Sequence, residues 1–504
     1  MGVCGCLALL CAASPCLADT LVLTTGETLV GKVVSEDAAS VVFESAGLGK
    51  VSVPRDRVQR IEKGPVAGAT PSGAQEVVAP PVPLGEPVAQ AAPPPPPPQK
   101  EDLFRMYWDQ GLRYQLYQPI SVPNPLGGER IIGEEIRLSG RAGLKLSLDA
   151  ADFHSTNREE QIPGGAEVRT FRLYANGQFG RGPDPTLYSL EFGTVNGSFY
   201  MTNGWLRWQG VQYAGNVQAG YETVPQTLEN IYAFNALTFM EASSMSLAFS
   251  PGKRLGVEAD RTFSDERMYL SVGVYSVGSD PGLNGGSVAQ TLLYPVVRFT
   301  GLPIYDDRGT DDVKLLHLGI SVGYQLAKGA QFEFRSRPES FIAPYLVNTG
   351  TLQADVSSLV GLESIYMNGR FTLTGELTGT RLMGGTVNDA SFWGGYVSAG
   401  WFLTGEQRRY NRDSAQVIAP LVPNREFSWK DWTGGAWEVA ARLSYVDLDS
   451  ENVLGGKMAI AMLGLNWYWN RYLRWQLNTG YANVINGPSP GNLYILQARL
   501  QMVF

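Results

Sequence analysis

Three basic side chains stand four residues apart in one stretch of the chain: Arg137, Arg141 and Lys145. Successive side chains of a β-strand point to opposite faces, so all three share one face if this stretch is a strand. A row of cationic groups can replace part of an anion's hydration shell, and Arg binds phosphate or carboxylate in a bidentate way. The spacing therefore predicts a ladder of positive charge along one strand.

The same alternation recurs in many segments and assigns further charges to the inner face of a sheet. The basic side chains predicted to line that face are Arg137, Arg141, Lys145, Arg172, Arg298, Arg335, Arg370, Arg442, Arg474 and Arg499. The acidic ones are Asp149, Glu191, Glu258, Asp260, Glu333, Glu376 and Glu438. This is a mild positive bias in a chain whose net charge is −8. Two interpretations remain open: the arginines attract anions, or they pair with the acids and only stiffen the wall.

The element that would position these charges is clearest in the last twelve residues. The even positions from Tyr494 to Phe504 are apolar, and the odd positions include Gln497, Arg499 and Gln501. An apolar outer face and a polar inner face are typical of a membrane β-barrel strand. A chain that ends on such a strand in an aromatic residue resembles bacterial outer-membrane barrels, with Phe504 at the periplasmic rim.

Length and composition support a closed barrel. The chain has 504 residues, of which only 17% are charged. Beyond the amino terminus no segment approaches the ~20 apolar residues that a spanning helix needs, and a membrane protein without such helices must be a barrel. About 370 residues, at roughly 23 per strand and connection, predict about 16 antiparallel strands and an all-β fold.

The sequence divides into five segments. Residues 1–18 resemble a secretory signal and hold all four cysteines, so the mature chain would have no disulfides. Residues 19–63 contain short strands split by turn signals and resemble a small SH3-like β domain, for which a periplasmic docking role is expected. Residues 64–100 form a linker rich in Pro and Ala. Residues 101–130 are a connecting segment, and 131–504 the barrel.

One connection is too long for a tight turn. Counting back from the last strand places residues 404–435 on the periplasmic side, and the stretch is rich in arginine. The sequence leaves three alternatives open: the segment hangs in the periplasm, folds back into the lumen, or contains two further strands.

The sequence contains no clear motif for catalysis, metal binding or nucleic-acid binding. The two histidines, His154 and His317, are not paired with a Ser or Asp in any recognisable catalytic arrangement. His154 is expected near an outer loop and His317 on the inner face. We predict no enzyme activity, no metal or cofactor and no binding of nucleic acid.

Several segments resemble the phosphate-selective porin O/P family. They are 237–241 followed by 248–257, then 401–406, 435–442 and 463–468, in the order of that family. The resemblance spans most of residues 130–504. It implies a 16-stranded trimeric porin with an inward-folded third loop and a basic lumen that attracts anions such as phosphate.

The sequence departs from the family where selectivity would be decided. The family has a basic stretch before its central signature, whereas residues 220–229 carry Glu222 and Glu229. The candidates for the constriction loop are Glu222, Glu229, Glu241, Lys253 and Arg254. We therefore expect an outer-membrane porin in contact with lipid, mildly selective for small anions. The alternatives are a general or sugar-type porin and an envelope tether, in which the amino-terminal domain contacts the cell wall or a periplasmic partner.

Overall fold

A computed structural model describes residues 19–23, 28–36, 40–45, 49–55, 58–62, 104–109, 111–123, 129–157, 161–180, 185–195, 198–276, 293–308, 312–387, 389–486 and 490–504. The chain separates into two compact units, Met1–Pro95 and Pro96–Phe504. The predicted signal sequence, 1–18, and the predicted linker, 64–100, lie outside the described residues.

The first unit contains an antiparallel sheet of five strands. They are β1 (Asp19–Leu23), β2 (Thr28–Glu36), β3 (Ser40–Ser45), β4 (Gly49–Pro54) and β5 (Val58–Glu62). Their order in the sheet is β4-β3-β2-β1-β5. Val41 and Val53 are its buried centre, with Val33, Val58 and Ile61 against them. The predicted β structure of this segment is present, and the likeness to an SH3 domain stays a prediction.

The second unit is built almost entirely of strands. They are β6 (Phe104–Trp108), β7 (Leu112–Pro123), β8 (Glu129–Thr156), β9 (Gly165–Phe179), β10 (Thr186–Val195), β11 (Ser198–Val211), β12 (Gly215–Thr223), β13 (Lys253–Phe263), β14 (Met268–Ser276), β15 (Leu293–Asp307), β16 (Val313–Phe332), β17 (Arg335–Ser336), β18 (Val347–Asn348), β19 (Leu352–Asn368), β20 (Phe371–Met383), β21 (Ala390–Phe402), β22 (Arg409–Asn411), β23 (Gln416–Ile418), β24 (Ala436–Ser450), β25 (Val453–Tyr468), β26 (Leu473–Ile485) and β27 (Gly491–Val503). Helices α1 (Leu228–Ile231) and α2 (Ser244–Phe249) and the 3₁₀ turn Phe234–Ala236 lie between β12 and β13. None of the helices in the described part of the chain is long and apolar enough to cross a membrane.

These strands close into the predicted barrel. The described residues form an antiparallel barrel of 16 strands, β8 to β16, β19 to β21 and β24 to β27, which closes where β27 pairs with β8. The register at the closure runs from Asn492 opposite Thr156 to Val503 opposite Lys145. We call the end of the barrel at which the chain terminates the Phe504 rim.

A hairpin extends the sheet beyond this closure. Strand β8 has 28 residues, and its first half pairs with β7, which in turn pairs with β6. This hairpin lies within residues 101–130, where the sequence predicted only a connecting segment. The difference arises because the amino-terminal half of β8 has no partner in β27, so its free edge is available for β7.

The predicted alternation of faces is present in the last strand. Tyr494 and Leu496 are 51% and 52% exposed, on the outside of the barrel. Gln497, Arg499 and Gln501 are buried on the inside. The barrel thus presents an apolar band outward and polar side chains inward.

Aromatic side chains gather on the outer surface near the Phe504 rim. Trp437 of β24 and Trp467 of β25 are stacked with their ring centroids 4.8 Å apart. Phe427 and Trp429 from the chain before β24 and Trp469 after β25 surround them. Such a band is typical of the interface between membrane and water, where an amphipathic ring suits the headgroup level.

Candidate functional site: the lumen and its inward segments

The chain between β12 and β13 folds into the barrel, and we call residues 224–252 the inward loop. The N–H of Leu228 donates to Glu376 of β20 at 2.5 Å, and the N–H of Met240 donates to Asn478 of β26 at 3.3 Å. Asn466 of β25 donates to the carbonyl of Thr238 at 2.9 Å. Because these strands are not neighbours of β12 or β13, the loop must cross the lumen. The inward third loop that the family resemblance implied is therefore present.

Buried ion pairs hold the inward loop to the wall. Nη2 of Arg499 lies 2.6 Å from both Asp149 Oδ2 and Glu241 Oε1. Nε of Arg169 lies 2.8 Å from the same Glu241 oxygen, and Arg442 Nη1 lies 3.0 Å from Glu229. Because the partners are removed from water, each pair is screened much less than a surface pair.

The pKa of Glu241 is set by its burial and by the two arginines beside it. Burial by itself would raise the pKa of this loop carboxyl, but the guanidinium groups of Arg169 and Arg499 outweigh burial and hold the pKa at about 2. Glu241 is thus a carboxylate at any physiological pH, and it serves as the anchor of the loop.

A second segment enters the lumen from the Phe504 rim. We call residues 404–435, between β21 and β24, the rim segment. Nη2 of Arg408 lies 2.8 Å from both oxygens of Glu438, and Nη1 donates to the carbonyl of Ala236 at 2.8 Å. Arg298 of β15 donates to the carbonyl of Ala415 at 2.8 Å. Of the three alternatives left open, the fold into the lumen is the observed one, and the segment also contains the short hairpin β22–β23, which is separate from the barrel sheet.

The chain between β16 and β19 is a third segment that folds into the lumen. Glu339 of this loop is completely buried and forms an ion pair with Arg442 of β24. Its other oxygen accepts from the N–H of Ser244 at 3.0 Å, at the start of α2. The three inward segments thus support one another as well as the wall.

A cavity of about 750 Å³ remains between these segments and the wall of β8 to β11. The basic side chains that line it are Arg141, Lys145, Arg169, Arg172, Lys253 and Arg471. The carboxylates that line it are Glu191, Glu229 and Glu241. Polar and aromatic groups complete the lining, including Tyr174, Asn176, Asn203, Trp205 and Tyr232.

All three carboxylates of the cavity are already engaged with cations. Glu191 lies 2.5 Å from Lys145 Nζ and 3.0 Å from Arg172 Nη1. Glu229 pairs with Arg442 and Glu241 with Arg169 and Arg499. Among the side chains of the described lining, the basic groups are therefore twice as many as the carboxylates.

The predicted pore-lining residues separate into three groups. Arg141, Lys145 and Arg172 line the cavity. Four others face inward but are buried beneath the inward segments: Arg298, Arg442, Arg474 and Arg499. Three lie elsewhere: Arg137 is exposed on the part of β8 that pairs with β7, Arg335 is exposed on the loop after β16, and Arg370 is exposed in the turn before β20.

The five constriction candidates are also divided. Glu229 and Glu241 belong to the inward loop. Glu222 is buried on β12, and Lys253 and Arg254 begin β13, so these three flank the loop. Lys253 still reaches the cavity and donates to the carbonyl of Thr202 at 2.8 Å.

Three residues of the inner side were not among those predicted to line the pore: Arg169, Arg408 and Glu363. Arg169 lies in a β-bulge, because Ser147 pairs with Thr170 while Leu148 pairs with Val168. The extra residue puts Arg169 inside together with Arg172, which strict alternation forbids. Glu363 had a readable signal, since it shares a face with other polar residues of β19, and it pairs with Arg298 at 2.7 Å.

The two histidines lie in different environments. His317 is buried on the inner face, with Nε2 2.9 Å from Glu363 and Nδ1 2.7 Å from the hydroxyl of Tyr410. His154 is exposed near the end of β8 opposite the Phe504 rim. No group of His, Cys, Asp and Glu side chains suited to a metal ion occurs in the described ranges.

A closed barrel with an apolar outer band and loops folded into a polar lumen is the architecture of an outer-membrane porin. The profile of the family "Phosphate-selective porin O and P" matches residues 141–504. The chain belongs to this family, and the recognition made from the sequence motifs is confirmed. The family points to a channel in the outer membrane and not to an enzyme.

One protein of similar sequence and two solved structures of similar fold can be compared with this chain. An uncharacterized protein of Caulobacter vibrioides is 24% identical over 519 residues, covering 98% of this chain and 95% of that protein. Among solved structures, OmpT of Vibrio cholerae has a TM-score of 0.47 at 10% identity, covering 73% of this chain and 98% of that chain. The outer-membrane channel DcaP of Acinetobacter baumannii has a TM-score of 0.42 at 10% identity, with 73% and 98% coverage.

Proposed function

We propose that this porin is a water-filled channel for passive diffusion of small solutes, with a mild preference for anions. The observation that supports the proposal is the charge of the cavity lining, in which there are six basic side chains and three side-chain carboxylates. Phosphate and other small anions are the expected permeants. Arg141, Lys145 and Arg172 are the residues proposed to act on them.

The preference follows from the position of these charges. The cavity lies between protein walls of low dielectric constant, so field lines concentrate in it and a few fixed charges raise the local concentration of the opposite ion. The preference is mild because Glu191 already binds Lys145 and Arg172, which removes part of their field. A solute anion would compete with Glu191 for these two cations.

We further propose the assembly and orientation that such a porin would have. The family resemblance implies a homotrimer. The Phe504 rim would face the periplasm, as it does when the last strand of a barrel ends there. The unit formed by residues 19–63 would then lie in the periplasm, where a cell-wall or protein partner could bind it.

The test is ion selectivity in planar bilayers. The full-length protein is reconstituted and the reversal potential is measured across a KCl gradient. Replacing Arg141, Lys145 and Arg172 together by Ser should move the reversal potential toward that of a cation-selective pore. The matched control is Arg381→Ser, because Arg381 is 56% exposed and pairs with Asp389 outside the cavity. An unchanged potential in the triple variant would refute the proposed role of these residues.

A sugar-type porin is the second candidate. The observation that favours it is the lining of the same cavity by amide and aromatic side chains, such as Asn176, Asn203 and Trp205. Swelling of liposomes in neutral sugars separates the two functions. Sugars that enter faster than anions of similar size, together with a reversal potential near zero, would favour the sugar channel.

A further inference from the structure

The hairpin β6–β7 adds polar side chains to the inner face of β8 and β9 near the Phe504 rim. Residues that are paired in register point to the same face of a sheet. One row of paired residues crosses the four strands, and its members are Tyr107, Arg113, Arg141 and Asn176. The row beside it on the same face consists of Gln115, Ser139 and Gln178.

Both rows line one pocket of about 450 Å³. This volume is in the range of ~300–1,000 Å³ that is typical of sites for small organic ligands. Nε2 of Gln115 donates to the hydroxyl of Tyr107 at 3.3 Å, which connects the two rows.

The pocket is continuous with the large cavity. The two share Arg141, Tyr174 and Asn176 in their linings. The hydroxyl of Tyr174 donates to a main-chain oxygen of Phe504 at 2.9 Å, and Phe504 lines the large cavity. The pocket therefore extends the cavity past the end of the chain toward the hairpin.

Two guanidinium groups come together in this pocket. Arg113 and Arg141 are directly opposite each other, so their Cβ atoms are ~5 Å apart, and like charges in such a pair repel. The Arg113 side chain is 38% exposed, and its Nε lies 3.8 Å from the exposed Asp109, so water screens that pair. No side-chain carboxylate is among the described residues that line the pocket. An anion bound between the two arginines would offset their repulsion.

The other lining groups suit the hydroxyl groups of a solute. The amides of Gln115, Asn176 and Gln178 can both donate and accept hydrogen bonds. Tyr107 and Tyr174 each combine a hydroxyl with an apolar ring. A monatomic anion or inorganic phosphate would leave most of these groups unused. The lining therefore fits an organic anion that carries hydroxyl groups.

The pocket depends on a part of the chain that the family profile does not include. That profile matches residues 141–504. Four residues of the lining precede this range: Tyr107, Arg113, Gln115 and Ser139.

We propose that this pocket binds a sugar-sized organic anion, either a sugar acid or a sugar phosphate. Arg113 and Arg141 would bind its anionic group, since Arg recognises carboxylate and phosphate in the same bidentate way. The amides and tyrosines would bind its hydroxyl groups. The inference rests on the proposed function, because it names the class of anion that the channel would pass, but binding itself requires no conduction.

Isothermal titration calorimetry of the full-length protein in detergent tests the site. D-Glucuronate and glucose 6-phosphate should bind, and glucose should bind at least about tenfold more weakly because it lacks the charge. Arg113→Gln should weaken the binding of the anions by at least about tenfold, whereas the control Arg381→Gln should bind like the wild type. Binding of only one anion would identify the anionic group that the site accepts. Equal affinities of Arg113→Gln and the wild type, or binding of neither anion, would overturn the proposal.

A second variant tests the recognition of hydroxyl groups. Gln115→Leu keeps both arginines and should weaken the binding of glucuronate several-fold. The Tm of both variants is measured, and values equal to that of the wild type show that the hairpin is intact. Unchanged binding of glucuronate to Gln115→Leu would contradict the role of the amide.

These results are distinguishable from a failure of the proposed function. A channel without anion selectivity that binds glucuronate through Arg113 would refute the proposed function and support the site. An anion-selective channel that binds neither glucuronate nor glucose 6-phosphate would refute the site alone.

Discussion

Arg499 on the last strand and Glu241 on the inward loop form a buried ion pair, with 2.6 Å between Nη2 and Oε1. Asp149 of β8 and Arg169 of β9 belong to the same cluster. Strands β27, β8 and β9 are neighbours at the closure of the barrel. The inward loop is therefore fixed at the seam, and its position requires that the barrel has closed.

Removing Arg499 should destabilise the protein strongly. Arg499→Gln leaves Asp149 buried without a cationic partner on β27 and weakens the anchor of Glu241, and breaking a buried pair from one side costs ~3–5 kcal/mol. We expect a clear drop in Tm in detergent and larger current fluctuations in single-channel records. The control is Arg335→Gln, on an exposed loop, for which a change within about 0.5 kcal/mol is expected. Equal Tm values for the two variants would contradict the anchoring role.

The anchor should have a defined pH dependence. The pKa of Glu241 is lowered from 4.5 to about 2 in the folded protein. A carboxyl whose pKa is lower in the folded protein than in the unfolded chain stabilises the fold at pH values above its unfolded pKa. This contribution is lost as the pH falls through its folded pKa. The Tm difference between wild type and Glu241→Gln should be constant from pH 7 to about pH 5 and shrink between about pH 4.5 and pH 2. A difference that already disappears near pH 6 would show that another group is responsible.

Loosening the rim segment should widen the channel. Arg408 connects this segment to Glu438 of the wall and to the carbonyl of Ala236 on the inward loop. Arg408→Gln removes the ion pair, so we expect a higher single-channel conductance and faster entry of larger neutral solutes into liposomes. The control is Arg425→Gln, because Arg425 belongs to the same segment but is 66% exposed. If both variants conduct like the wild type, the rim segment does not limit the channel.

The carboxyl-terminal residue should matter for assembly. The N–H of Phe504 donates to the carbonyl of Leu144 at 3.1 Å, and a main-chain oxygen of Phe504 accepts from the N–H of Leu144 at 3.0 Å and from the hydroxyl of Tyr174 at 2.9 Å. Its ring lies 6.0 Å from that of Trp108. Deleting Phe504 removes the last rung of the closure, so the yield of folded barrel in the outer membrane should fall several-fold. Phe504→Tyr should assemble normally, and unaffected assembly of the deletion would contradict this role.

The barrel could be predicted because its strands repeat one simple pattern of apolar and polar side chains. Every wall strand must alternate between lipid and lumen, so the alternation in residues 493–504 already indicated the faces that Tyr494 and Arg499 occupy. The same alternation predicted Arg442 and Arg474 on the inner face, and both side chains are buried in the structure. The hairpin β6–β7 was missed because its pairing depends on an edge that exists only in the folded sheet.

The site was less predictable because its contacts are long-range. Whether an inward arginine meets water or protein depends on segments far away in sequence, as with Arg298 and the carbonyl of Ala415. Periodicity says nothing about such contacts. The bulge at Arg169 reverses the alternation locally, and no residue type around it marks the extra position. The first effect explains why four of the predicted basic residues are covered by the inward segments, and the second explains why Arg169 reaches the cavity although it was not predicted.

The ion selectivity of the wild-type channel shows directly whether the lumen prefers anions. Single channels of the full-length protein are recorded in planar bilayers under a KCl gradient, and the measurement is repeated in potassium phosphate. The excess of basic side chains around Arg141, Lys145 and Arg172 predicts discrete conductance steps and a reversal potential displaced modestly toward that of chloride. Absence of conductance, or a reversal potential on the potassium side, would contradict it.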